Sequence, residues 1–502
     1  MIIKIAMVVV FFAVMIAVGI ICRKKATDVN GFVLGGRNIG PWLTAFAYGT
    51  SYFSAVIFIG YAGQFGWKFG VSSSWIGIGN AIIGSLLPWL ILGKRTRRMT
   101  QYFDSNTMPD FFGKRFDSKG LKTLAAIIVF IFLIPYTASL YNGLSYLFKM
   151  AFNIDYTVCI IAMALLTCIY VVAGGYMASA VNNFIQGIIM LVGIVAVVFA
   201  VLNQSEAGGL TNALLSLGQI EADGIPKGSL SSLFGPSVFN LVCVVILTSL
   251  GTWGLPQMVH KFYAIKDDKA IVKGTVISTV FALIVAGGCY FLGGFGRLFV
   301  APTDAGTPVG GYDLIVPTML SGVGDLLIGV VIILVLSASM STLSSLVLTS
   351  SSTLTLDLIK ANRKNGMTEK QQLLSMRVLI FIFIAVSAII AIVQAHGGVA
   401  FIADLMGISW GALAGSFLAP YLLSLYTKRV TKAAAYVNFI FASAVMILNI
   451  LARSSFPAYL QSPVNCGAFI MLAGLVIVPL VSLFTKKPDE KLLNSAFESL
   501  KK

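Results

Sequence analysis

Charge is what this sequence has least of. Only 11% of its 502 residues are Asp, Glu, Lys or Arg, against roughly 25% in a soluble domain. Hydrophobic residues make up 58%, and the mean hydropathy is +0.91. That balance excludes a water-soluble globule and indicates a chain that crosses a membrane many times, each helical crossing taking about 20 apolar residues. Histidine is nearly missing, at two residues. The six cysteines (Cys22, Cys159, Cys168, Cys243, Cys289, Cys466) form no CxxC pair and sit in or beside apolar runs, so they read as small buried hydrophobes. No GxxxxGK[ST] phosphate loop, no HExxH and no Ser-His-Asp arrangement is present, which removes the usual signatures of nucleotide and hydrolytic chemistry.

Thirteen apolar spans can be read along the chain: 2–22, 41–66, 73–93, 121–147, 156–175, 178–203, 237–260, 272–297, 325–356, 376–395, 400–426, 433–452 and 466–485. The first is followed directly by Arg23, Lys24 and Lys25, a stop-transfer flank rather than a small-residue cleavage site. Of the 35 Lys and Arg residues, 29 lie in segments after odd-numbered spans and 6 on the other side. The positive-inside rule then places the N-terminus outside and the C-terminus in the cytoplasm. The net charge of +16 is accordingly a topology signal, and no nucleic-acid partner is expected. No linker divides the chain, so residues 1–502 read as one transmembrane domain. No segment is large enough for a cytosolic output domain, and no obligatory protein partner is indicated.

Seventeen of the nineteen carboxylates fall in loops, in tails or at a span's first residue; Asp357 sits at the end of span nine and Asp404 one turn into span eleven. His260 and His396 are at span ends. No titratable group is thus expected at the bilayer midplane, where proton-driven carriers usually keep a relay residue.

Against these absences stand two interrupted spans. Span two reads FAYGTSYFSAVIFIG, with Gly49, Thr50, Ser51 and Ser54 at its centre, and span seven reads LTSLGTWGLPQMVHKF, with Gly251, Gly254 and Pro256. Glycine and proline weaken the helical hydrogen-bond ladder, and freed backbone groups survive in a membrane only against protein or a wet cavity. The two lie five spans apart, the pattern of an inverted-repeat transporter with its site between the halves. Span nine adds SASMSTLSSLVLTSSST at 337–353, where eleven of seventeen residues are Ser or Thr. Helical spacing puts Ala338, Ser341, Thr342, Ser345 and Thr349 on one face. Packing and bonding back to the helix's own carbonyls account for most such hydroxyls. Ser341 and Thr342 differ in having a broken helix to face, and hard cations favour oxygen ligands.

These residues resemble the sodium/solute symporter family, whose members share the LeuT-type inverted repeat. The resemblance runs over nearly the whole chain, through FVLGGRNIGPW before span two, MPDFFGKRF, AGGYMASAVNNFIQ, and SASMSTLSSLVLTSSSTLTLDL with its MST tripeptide. It implies an all-α polytopic membrane protein of thirteen transmembrane helices. Spans two to six (41–203) and seven to eleven (237–426) would form a 5+5 inverted repeat with two broken helices, span one and spans twelve and thirteen being peripheral. It further implies a sodium site made by main-chain oxygens of Thr50, Phe53 and Ala338 and hydroxyls of Ser341 and Thr342. Where members that bind a second sodium carry Asp, this chain has Asn183, although Ser344 and Ser345 remain, so one sodium per cycle is expected.

Proline carriers have Asp in the broken second span where this chain has Tyr52, and aromatics in the seventh where it has Thr248 and Thr252. SYFSA and KFYAIKDDKAIVKG look nearer to the pantothenate and monocarboxylate branch. The expected function is sodium-coupled import of a small organic solute, a carboxylate or an amino acid such as proline, across the cell membrane by alternating access. The chain is not expected to be an enzyme. Tyr52, Ser54, Tyr136, Thr248, Thr252 and Trp253 are the candidate solute-binding residues. An ion channel or a proton-coupled carrier is the alternative.

Overall fold

The structure, a computed structural model, describes residues 2–152, 154–222, 224–397 and 402–500; the His396 side chain lies outside the described residues. Among the described residues there is no β-strand, and eleven helical stretches are long and apolar enough to cross a membrane. Two of them, Val56–Tyr102 and Tyr156–Leu202, run for 47 residues. As straight helices they would reach about 70 Å, more than twice a ~30 Å hydrocarbon core. Both are turned at a glycine. Gly70 has φ +62, and a Cβ there would stand 2.1 Å from the Leu230 carbonyl oxygen. Gly175 has φ 53 and ψ −143, and a Cβ there would meet the Phe32 carbonyl at 2.8 Å. The second reversal falls at Gly175 itself, just before the turn that hydropathy places at 176–177.

Both interrupted spans are broken where the sequence indicates. The first begins at Pro41 behind Gly40, the first helical position being where proline's missing N–H costs nothing. It runs to Tyr52 and stops at Phe53, whose backbone is extended at φ −95 and ψ 93. It resumes as a π-helical turn, Val56–Tyr61, and the helix Ala62–Phe69. Ser54 Oγ accepts from the Val56 amide at 3.2 Å, supplying a partner at the restart. The second runs from Val238 through a π-helical turn at Ile246–Leu250 and a 3-10 turn at Gly251–Trp253, then opens at Leu255 before Pro256–Ala264. π-turns inside helices recur at functional sites. Gly254 lets this break lie on the helix Ile402–Tyr426: a Cβ there would be 2.6 Å from the Leu418 amide nitrogen.

The hydroxyl-rich segment is helical throughout, Asp325–Thr353, and all of its residues from Ser337 onward are buried. Ser344 donates to Ser341 O at 2.9 Å and Ser352 to Leu348 O at 2.7 Å, so hydroxyls that look like loop are absorbed by the helix's own carbonyls. This helix packs against Tyr156–Leu202, Lys119–Phe152 and the first half of the first broken span. The two broken spans also meet at one end, where the Ile39 amide donates to Ala264 O and the Lys266 amide to Ile39 O, both at 3.1 Å. Beside that end, Lys122 joins Asp110 at 2.7 Å and the fully buried Asp357 at 3.1 Å. The described cysteines are all unbridged; five are buried and Cys168 is half-buried.

Candidate functional site

Helix breaks leave carbonyls without an intrahelical donor, and the first broken span turns one of them toward the hydroxyl-rich helix. Ser341 Oγ and Thr342 Oγ1 each lie 3.0 Å from the main-chain oxygen of Thr50 and 3.1 Å from that of Ala338. Two carbonyl and two hydroxyl oxygens therefore converge, all from fully buried or nearly fully buried residues. Thr50's own hydroxyl is turned away, donating to Phe46 O at 2.8 Å, so only its carbonyl faces the cluster. Phe53 marks the end of this half-helix, its amide still bonded to Gly49 O at 3.0 Å. The chemistry of the set is neutral and all-oxygen, suited to a small hard cation.

One turn further along the same helix, Ser345 Oγ lies 2.6 Å from Ser51 Oγ and 3.0 Å from the ammonium of Lys261. Lys261 corrects the sequence reading, which leaves it in a loop after span seven. It belongs to the half-helix Pro256–Ala264 and is only 3% exposed. An ionisable group outside the reach of hydropathy is thus buried beside the candidate ion site. Ser344 Oγ meets Ser179 Oγ at 2.8 Å. Asn183 is buried with neither amide atom hydrogen-bonded.

The six candidate solute residues are all buried, but they do not form one ring of contacts. Tyr52 Oη donates to Thr248 O at 2.6 Å, joining the two interrupted spans directly. Thr252 Oγ1 bonds to Gly84 O at 3.0 Å and Trp253 Nε1 to Ile83 O at 2.8 Å, so both are engaged with span three. Ser54 serves the restart of its own helix. Tyr136 is linked to Tyr52 through a residue the sequence reading missed: Trp410 stacks on Tyr52 at 5.8 Å and meets Tyr136 edge-on at 5.9 Å. The Tyr136 hydroxyl is near Ser54 and Trp410, yet it and Trp410 Nε1 are buried without a hydrogen bond of good geometry.

Asn80 was also missed. Its Oδ1 accepts from Thr248 and Ser249 at 3.0 and 2.9 Å, while its Nδ2 is unpartnered. A lone amide within the apolar run WIGIGNAIIG is the signal that could have found it.

Outside the spanning segments, burial first of all holds the Asp313 carboxyl up to about 7, although the Ile402 amide donates to its Oδ2 at 3.3 Å. This residue, assigned by sequence to an external loop, is 6% exposed.

Comparison with known proteins agrees with this architecture. The chain matches the model of the sodium:solute symporter family over residues 32–441. It is 29% identical over 492 residues to the osmoregulated proline transporter OpuE of Bacillus subtilis (strain 168), covering 95% of this chain and 94% of that protein. It is 28% identical over 497 residues to the sodium/proline symporter of Staphylococcus aureus (strain JH9), covering 96% and 93%. Among solved structures, a substrate-bound, outward-open Na+-coupled sialic acid symporter superposes with a TM-score of 0.78 at 17% identity, covering 97% of this chain and 98% of that one. Mhp1, a nucleobase-cation-symport-1 family transporter in a closed conformation, gives 0.51 at 13% identity over 93% and 98%. These likenesses to solved structures carry the fold. The chain is a multi-pass membrane transporter, not an enzyme, and it belongs to the sodium:solute symporter family.

Proposed function

We propose that this protein is a secondary active symporter in which sodium entry drives uptake of a small organic solute across the cell membrane by alternating access. The observation that carries the reading is the convergence of Ser341 and Thr342 hydroxyls with the Thr50 and Ala338 carbonyls at 3.0–3.1 Å. Sodium would be held there by these four oxygens, with the Phe53 carbonyl as a fifth at the helix break. On binding, the two hydroxyls would turn their protons away and offer lone pairs. Because Thr50 belongs to the first half of one broken span and Ser341 to the hydroxyl-rich helix, an ion between them would favour the arrangement in which the two are close.

Counting each 47-residue stretch as two crossings on either side of its glycine would make thirteen of the eleven, with the two interrupted spans five apart. Both support the 5+5 inverted repeat. The Lys and Arg asymmetry supports an external N-terminus and a cytoplasmic C-terminus.

The solute would lie at Tyr52, Thr248, Tyr136 and Trp410. The unpartnered donors of Tyr136, Trp410 and Asn80 suit a solute rich in acceptor oxygens, a carboxylate before a purely apolar compound, since buried donors left unpaired are costly. Uptake into proteoliposomes under separate sodium and proton gradients tests the reading, with monocarboxylates, pantothenate and proline as labelled solutes. Accumulation of one of them only with a sodium gradient is expected. Accumulation driven by a pH gradient alone, in sodium-free medium, overturns it in favour of a proton-coupled carrier.

A further inference from the structure

The residues implied for a second sodium do not assemble as an ion cage. Ser344 is tied to Ser179 at 2.8 Å, Ser345 to Lys261 at 3.0 Å, and the Asn183 amide has no partner. What stands against Ser345 is already the amine of a lysine. The Lys261 ammonium is buried, donates to the Ser345 hydroxyl, and lies 5.4 Å from the centre of the Tyr176 ring. No Asp or Glu pairs with it among the described residues. Its surroundings are hydroxyl oxygen and a π-face, both attractive to a monovalent cation.

The connections extend on both sides. Ser345 also touches Ser51 at 2.6 Å and donates to Ser341 O at 3.2 Å, so the ammonium reaches the first broken helix and the candidate sodium ligand through one hydroxyl. Tyr176, Ser179 and Asn183 recur at helical spacing on the partner helix. The ring beneath the ammonium and the Asn183 amide, the position the resemblance gives as Asp in members that bind a second sodium, therefore lie on one face of that helix.

We propose that Lys261 supplies the second positive charge of the coupling apparatus, its ammonium taking the position that a second sodium would occupy, so that only one sodium is carried per cycle. This rests on the sodium reading above. It accounts for the departure at 183. A tethered cation makes a second sodium unwelcome by like-charge repulsion, and with no second ion to hold, the position at 183 needs no carboxylate. Lys261 rides on the half-helix after the second break, so its bond to Ser345 also ties that half-helix to the hydroxyl-rich helix one turn from the sodium oxygens.

The test is the number of sodium ions bound by the purified full chain in lipid nanodiscs, read by equilibrium binding of labelled sodium. Uptake cooperativity is the second readout. The wild type should bind one ion per chain. Asn183→Asp alone should still bind one, because the ammonium remains. Lys261→Met combined with Asn183→Asp should bind two, with the Hill coefficient for sodium rising from about 1 toward about 2. Lys261→Arg with Asn183→Asp should stay at one, since the charge is kept. A wild-type chain that binds two ions overturns the proposal without any variant, and so does a folded Lys261→Met, Asn183→Asp chain that still binds one. A wild type that binds none overturns the sodium reading on which the proposal rests.

Discussion

The Tyr52 hydroxyl donates to the Thr248 carbonyl across 2.6 Å, and this bond joins the end of the first half-helix to the π-helical turn of the second interrupted span. Lipid cannot solvate backbone groups loosened along an interrupted helix, and here one span supplies a donor to the other's carbonyl. Tyr52 also stacks on Trp410 at 5.8 Å. Tyr52→Phe keeps the ring and its stacking and removes only the donor. Leaving a buried carbonyl unsatisfied costs about 1–3 kcal/mol, so solute half-saturation should rise by roughly ten-fold while sodium binding holds. Solute-dependent uptake and labelled-sodium binding, measured side by side, separate the two. An equal loss in both would make Tyr52 a structural tie alone.

Asp313 gives a pH dependence whose sign can be worked out. Burial raises its carboxyl from 3.8 to about 7, so the folded protein holds a proton that the unfolded chain releases above its ordinary value. The stabilisation is therefore complete below about pH 4, declines as pH rises toward 7, and is lost above that. Thermal melts should show a higher midpoint at pH 5 than at pH 8. Asp313→Asn, neutral at both, should flatten the difference. A wild-type midpoint that climbs between pH 5 and 8 would contradict the assignment.

The breaks and the hydroxyl cluster were legible because each leaves a compositional mark. Gly254 and Pro256 interrupt an apolar run, and Ser341 and Thr342 stand out against Leu and Val. Lys261 was not legible. Its charge draws the end of span seven back to His260, and only the packing of Pro256–Ala264 against the hydroxyl-rich helix shows it to be buried. Trp410 escaped for another reason. It meets Tyr52 across more than three hundred residues of sequence, and nothing in GISWGALAG says which aromatic it will face.

The proposed membrane orientation rests on charge placement rather than on any contact. With the buried Lys261 and Arg115 removed from one side and the buried Lys4 from the other, 27 basic residues remain in segments after odd-numbered spans against 5 opposite. An epitope in the 204–236 segment should be labelled on intact cells, and one placed after Lys487 only once the membrane is opened. Labelling in the reverse order would invert the arrangement and, with it, the direction assigned to sodium flow.

The most direct test lies in the hydroxyl-rich helix itself. Ser341 and Thr342 each contribute one oxygen to a cluster that includes no carboxylate. A lost contact to a charged partner is worth about 1.5–3 kcal/mol, or roughly ten- to a hundred-fold in apparent sodium affinity. Ser341→Ala and Thr342→Ala should each raise the sodium requirement by that factor while the protein still reaches the membrane. Thr342→Ser retains the oxygen, loses only a methyl group, and should be mild. Ser351→Ala is the packing control: this hydroxyl is equally buried but bonds only to Leu348 O, at 3.2 Å on its own helix. Sodium titrations of uptake and of labelled-sodium binding should therefore rank the alanine variants at 341 and 342 far from wild type and the other two close to it. If all four fall together, the hydroxyls are packing residues, and the ion must be sought elsewhere in the bundle.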